Sequence, residues 1–139
     1  MEAVVDASVV VKWFVEEEGS ELALRLRDRY IDGEIELIAP ELITFEVLNA
    51  LRYKGLFTEE EMAQVQEALE AYAFSLYSLS GDYARKTLEV AFRNDITVYD
   101  ASYVALAVVR ETHLYTADED LRRRLKEPYS KHVRGLREV

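Results

Sequence analysis

The chain has 139 residues, 50% hydrophobic and 32% charged, with five Gly, two Pro and no Cys, so it can bury a proper core and is neither disordered nor collagen-like in composition. The absence of Cys excludes disulfides and thiolate metal sites, and no apolar run of about 20 residues offers a membrane span. A formal net charge of −10 argues against a protein that coats nucleic acid through its overall field, and the expected setting is soluble and cytoplasmic.

In chain order, Ala3, Val4 and Val5 form an apolar run that breaks at Asp6 and reads as a buried central strand, delivering a carboxylate to its C-terminal end. Ser8 to about Glu17 carries Val9, Val10, Trp13 and Phe14 at helical spacing, with Ser8 as N-cap and Gly19 as terminator. A second amphipathic helix follows over Ser20 to Tyr30, then a short strand over Ile35 to Ala39 that Pro40 stops. Glu41 to Lys54 is apolar around most of its circumference, so it is expected to be a largely buried helix capped by Gly55. Glu46 interrupts it, an ionisable side chain between Leu42, Ala50 and Tyr53 that needs a partner if buried.

Thr58 with Glu61 spells a capping box for a helix to about Ala71. Ala73 to Leu79 alternates as a strand, with a helical extension as the alternative, and Ser80 to Phe92 is an amphipathic helix. Thr97 or Asp100 opens a very apolar helix through Val109. His113 to Ala117 is a strand, Asp118 to Lys126 a short charged helix closed by Pro128, and Lys131 to Leu136 an edge strand. Strands alternating with helices imply a parallel sheet of an α/β protein with helices on both faces, without internal repeats or linkers.

Charge is unevenly spread along this chain. From Leu121 onward seven Lys or Arg face two Glu, a local net charge of +5, leaving −15 on residues 1–120. That tail either steers a phosphate backbone or forms an ordinary solvated surface. Scarce Asn and Gln beside plentiful Glu and Arg lean toward a thermophilic source.

Four carboxylates stand out, each with a plain alternative. Asp6 can end a strand and cap a helix, Glu46 can pair with Arg52, and Asp100 can be an N-cap. Asp118 can belong to an acidic first turn, because Thr116 and Glu119 already spell a capping box. Together they say more. Asp6 and Asp118 both follow strands and so belong at one edge of the sheet, where Asp100 and Glu46 can reach them from the flanking layers. Four like charges in one pocket repel unless protons or cations compensate, and hard carboxylate oxygens suit Mg²⁺ or Mn²⁺. Such a site polarises a phosphoryl oxygen and activates water for attack on a phosphodiester.

Val4-Val5-Asp6-Ala7-Ser8, Glu46 with Asn49-Ala50, Tyr99-Asp100-Ala101 and Thr116-Ala117-Asp118, in that order, resemble the PIN-domain family and, within it, VapC-type toxins of toxin–antitoxin pairs. The resemblance spans essentially the whole chain as a single PIN-like domain over residues 1–139. It implies a five-stranded parallel sheet flanked by helices, and Mg²⁺- or Mn²⁺-dependent cleavage of RNA that leaves a 5′-phosphate and a 3′-hydroxyl. Carried over by position, Asp6, Glu46, Asp100 and Asp118 are the acidic quartet, with Asp6 and Asp100 nearest the metal. Ser8 and Thr116 are the supporting hydroxyls and Asn49 is the polar neighbour. No position of the quartet departs from the family pattern. The resemblance also implies a homodimer and a small antitoxin that inserts a basic side chain into the acidic cleft.

Substrate grip is expected from Lys12, Arg52 or the cluster Arg122, Arg123 and Arg124, and unstacked single-stranded RNA suits a narrow cleft. The aromatics Trp13, Phe14, Phe45, Phe57, Tyr72, Phe74 and Tyr77 are candidates for an association face, with core packing as the alternative. A response-regulator receiver would want paired acids after the first strand and a Lys after a late one, and neither is present. A haloacid-dehalogenase-type phosphatase would want Asp where Ser8 stands. A non-catalytic RNA-binding or scaffolding subunit of the same fold is the remaining alternative.

Overall fold

A computed structural model describes residues 1–139. The strands β1 (Glu2–Val5), β2 (Glu36–Pro40), β3 (Ser75–Tyr77), β4 (Leu114–Thr116) and β5 (Val133–Gly135) form one sheet. All are parallel, in the order β3-β2-β1-β4-β5. Seven α-helices connect them: α1 (Ala7–Val11), α2 (Ser20–Ile31), α3 (Ile43–Lys54), α4 (Glu59–Tyr72), α5 (Gly81–Asn94), α6 (Val98–Val109) and α7 (Glu119–Arg124). The expected alternation of strands and helices is therefore present, and the 73–79 segment does contain a strand rather than more of α4.

β1 is central because its side chains have nowhere polar to go. Ala3, Val4 and Val5 are buried, and Val4 pairs with Ile38 of β2 on one side and Leu114 of β4 on the other. A strand buried on both faces reads as continuous hydrophobics rather than as an alternation. The chain runs from β1 to β2 on one flank and returns to β4 on the other, so the connections diverge beyond the C-terminal ends of β1 and β4. That topological switch point is where open α/β sheets bind ligands. α6 lies across β1, β2 and β4 with α5 against it, while α1 packs on β4 and carries α2 and α3. Residues Ala101 to Ala107 of α6 are all buried, as their small and aliphatic side chains require, and Tyr103 is buried among them.

Three sequence expectations need correction. α1 ends at Val11 rather than near Glu17, because Trp13 turns under α2, where its indole N–H donates to the Ala23 carbonyl at 2.8 Å and its ring meets Tyr72 and Phe74. Ser8 is inside α1, and Asp6 occupies the N-cap position. α3 is not largely buried: only the stripe Ile43, Val47 and Leu51 is fully buried, Leu48 and Ala50 are partly so, and Phe45 is 80% and Tyr53 84% exposed. Apolar composition on several faces of a helix exceeds what packing on one side can bury. Of the seven aromatics singled out, Trp13 is in the core, Phe14, Phe57, Tyr72, Phe74 and Tyr77 pack against it, and Phe45 alone stands free.

The capping box of α4 is present as expected. Thr58 Oγ1 accepts the Glu61 N–H at 3.1 Å, and Glu61 Oε1 accepts the Thr58 N–H at 2.9 Å. Thr58→Ala should therefore cost about 1 kcal/mol and lower the melting temperature by about 4 °C. Thermal unfolding followed by circular dichroism checks this, and an unchanged midpoint would mean the cap contributes nothing.

Candidate active site

The sequence after β1 places Asp6 where the backbone turns into α1. Its side chain does not cap that helix. Instead Asp6 Oδ2 accepts hydrogen bonds from Thr116 Oγ1 at 2.6 Å and Ser8 Oγ at 2.8 Å. Each hydroxyl also accepts a backbone N–H, that of Ala117 on Ser8 and that of Asp118 on Thr116, both at 3.0 Å. Two hydroxyls thus stitch the C-terminal end of β1 to that of β4 and fix the Asp6 carboxylate, which is only 9% exposed.

The other three acids arrive from separate helices. Asp118 itself is the N-cap of α7, its Oδ1 accepting the Leu121 N–H at 3.0 Å. This overturns the expected Thr116–Glu119 box, because the Thr116 hydroxyl is already committed to Asp6 and to the Asp118 N–H. Thr97, not Asp100, caps α6, accepting the Asp100 N–H at 3.0 Å. The Asp100 carboxylate is thereby relieved of a capping role. Glu46 has its partner in Tyr103 of α6, whose hydroxyl donates to Oε1 at 2.7 Å. The alternative partner Arg52 is exposed on α3 and makes no ion pair with it.

The electrostatics bind the four positions into one cluster. Burial pushes the Asp6 carboxyl up, the hydrogen bonds from Thr116 and Ser8 pull it back in part, and Asp100 and Asp118 push it further. Glu46 is raised chiefly by burial, against the Tyr103 hydrogen bond, with Asp6 and Asp100 adding repulsion. Asp100 is raised by burial and then by Asp118, with Thr97 and Arg124 offsetting part. The Tyr103 phenol is also driven up, mainly by burial and then by Asp6 and Glu46. Each shift reflects ionised forms that the pocket tolerates poorly.

None of the four acids forms an ion pair with Lys, Arg or His. Asp6, Glu46 and Asp118 each have one oxygen held by a protein donor, and the other has no protein partner. The carboxylates stand open: no three His, Asp or Glu side chains close up tightly enough to grip an ion unaided. Their chemistry nonetheless fits a hard divalent cation, because the donors are all carboxylate oxygens, Asp6 and Glu46 are oriented by neutral hydroxyls and a phenol and Asp118 by a backbone N–H, and the four lack a compensating cation apart from Arg124 near Asp100.

The remaining predicted residues fall elsewhere. Asn49 is exposed on α3. Lys12 is tied to Glu17 Oε1 at 3.2 Å and the Glu18 carbonyl at 2.6 Å, and Arg122 to Glu119 at 3.3 Å and Glu138 at 3.1 Å. Both line a cavity of about 690 Å³ with Ala117 and Glu119, beside the acids rather than among them. Arg123 pairs with Asp120. Of the basic cluster, only Arg124 acts on an acid of the pocket. Tyr103 was not singled out from sequence. Its signal is a phenol three residues past Asp100, directly before the aliphatic run Val104 to Val109.

Residues 3–126 match the model of the PIN domain. The chain belongs to the PIN-domain family. Among PIN-domain relatives it is 34% identical over 126 residues to ribonuclease VapC3 of Pyrobaculum aerophilum, covering 87% of this chain and 92% of that protein. It is also 34% identical over 123 residues to ribonuclease VapC1 of Mycobacterium tuberculosis, covering 86% and 88%. The fold superposes on a chain of a toxin–antitoxin complex from Klebsiella pneumoniae with a TM-score of 0.68 at 15% identity, covering 96% and 97%. Membership in the PIN-domain family removes the receiver and phosphatase readings. No helix of this PIN domain is long and apolar enough to cross a membrane.

Proposed function

We propose that this chain, as a single PIN-like domain over residues 1–139, is a cytoplasmic Mg²⁺- or Mn²⁺-dependent endoribonuclease, the VapC-type toxin of a pair restrained by a small antitoxin. The observation that carries the reading is the convergence of Asp6, Glu46, Asp100 and Asp118 on the switch-point crevice with no ion-pair partner. The identity to two VapC ribonucleases supports it.

Asp6 and Asp100 would hold the ion most directly, with Glu46 and Asp118 completing the shell. A bound Mg²⁺ or Mn²⁺ supplies Lewis-acid polarisation of the phosphoryl group and a more acidic water. The protein's own part is positional. Thr116 and Ser8 keep Asp6 in one rotamer, the α7 N-cap keeps Asp118 in another, and Tyr103 fixes one oxygen of Glu46. One carboxylate of the quartet is suited to take a proton from an attacking water. Arg124 is the basic side chain placed to meet a phosphate beside Asp100. The exposed Phe45, Tyr53 and Leu56 offer apolar surface to a second copy of the chain or to the antitoxin.

Purified protein should cut single-stranded RNA with Mn²⁺ or Mg²⁺, giving 5′-phosphate ends, and EDTA should stop it. RNA left intact at every metal concentration would overturn the reading. In parallel, Mn²⁺ at about a hundred times its dissociation constant should stabilise the fold by about 2.7 kcal/mol, seen as a higher melting temperature. Flat melting curves at millimolar metal would remove the ion site.

A further inference from the structure

The hydroxyl of Tyr103 lies in the acidic pocket, yet it belongs to none of the four carboxylates or the two hydroxyls that hold Asp6. Tyr103 is 1% exposed on the buried helix α6, three residues after Asp100, and reaches Glu46 on α3. Its only side-chain hydrogen bond is the one to Glu46 Oε1 at 2.7 Å, and that is also the only hydrogen bond the Glu46 side chain makes. An acid on a helix as open as α3, facing two other acids, is repelled outward unless something holds it.

We propose that Tyr103 is a positioning residue for Glu46: its neutral hydroxyl pins Oε1 and so turns the second oxygen, Oε2, toward the pocket. This deepens the nuclease reading and rests on it. Tyrosine suits the task where Lys or Arg would not, because it supplies a donor without neutralising the negative potential that attracts a cation. Partners that orient ligands typically change metal affinity or activity by about 10–100-fold when removed.

The test is a double-mutant cycle with Tyr103→Phe, which keeps the ring and deletes the hydroxyl, and Glu46→Gln. Tyr103→Phe should lower kcat about tenfold with KM for RNA unchanged, and should weaken the Mn²⁺-induced rise in melting temperature. In the Glu46→Gln background the same change should add little to either readout, because residues that act through one another are not additive. Equal losses in both backgrounds, or a Tyr103→Phe protein that cleaves and binds Mn²⁺ as the unaltered chain does, would overturn the assignment. If the unaltered chain cleaves no RNA, the nuclease reading fails by itself. The Mn²⁺ melting shifts of the four proteins still report whether Tyr103 acts through Glu46, and additive shifts there would sink the proposal.

Discussion

Asp6→Asn should abolish metal-dependent RNA cleavage, by about a thousandfold or more, while making the metal-free protein more stable at pH 7. The two effects have one cause. Asp6 is the most enclosed of the four acids and sits within reach of the charges on Asp100 and Asp118. Asparagine keeps the shape and an oxygen for Thr116 and Ser8, but removes the charge that a cation needs and that burial beside other acids disfavours. The sign follows from linkage. The folded-state pKa of Asp6 lies above its ordinary value of 3.8, so ionisation at neutral pH works against folding. The advantage of the Asn variant should therefore be fully present above the raised pKa, shrink as pH falls, and vanish below about 3.8. Melting curves from pH 7 to pH 4 without metal, together with an RNA cleavage assay, check both halves. An active variant would remove Asp6 from the ligand set, and a variant less stable at pH 7 would mean the hydrogen bonds outweigh the burial of charge.

Thr116→Val carries the second largest effect. The buried hydroxyl donates to Asp6 at 2.6 Å and accepts the Asp118 N–H at 3.0 Å, so valine, close in volume, deletes both bonds at the seam between β1 and β4. Loss of a hydrogen bond to a charged group costs about 1.5–3 kcal/mol, and cleavage should fall about 10–100-fold as the carboxylates lose their orientation. The Thr116 bond is the largest influence holding the Asp6 pKa down, so its removal raises that pKa further. The acid limb of the pH–activity profile should move to higher pH, and Thr116→Ser, which restores a hydroxyl, should move it back. An unshifted limb would mean that Asp6 ionisation does not govern the acid side.

Much of the architecture was legible because the relevant signals are local. A continuous Ala-Val-Val run marks a doubly covered strand, Thr58 and Glu61 mark a helix start, and Pro40 marks a strand end. The acidic cluster was legible from position, since residues that follow parallel strands share an edge whatever the side-chain details. What escaped was everything decided by which element lies opposite. The length of α1 depends on Trp13 finding the Ala23 carbonyl, and the exposure of Phe45 and Tyr53 depends on α3 being covered along a single stripe. The Thr116 hydroxyl looked like half of a capping box, but a carboxylate 110 positions earlier in the chain outcompetes the helix for it. Tyr103 was hidden for the same reason, since its partner is 57 residues away on another helix.

The hydroxyl seam has a consequence for how the protein is made. β1 and β4 pair across a long stretch of chain, so one flank of β1 stays open until residues 114–116 have been made. Until then Asp6 lacks the Thr116 donor, and Asp118, which follows Thr116 in the chain, is missing as well. A chain that stops short of residues 114–118 therefore lacks both the Thr116 donor and the Asp118 carboxylate, and on the nuclease reading it would be inert.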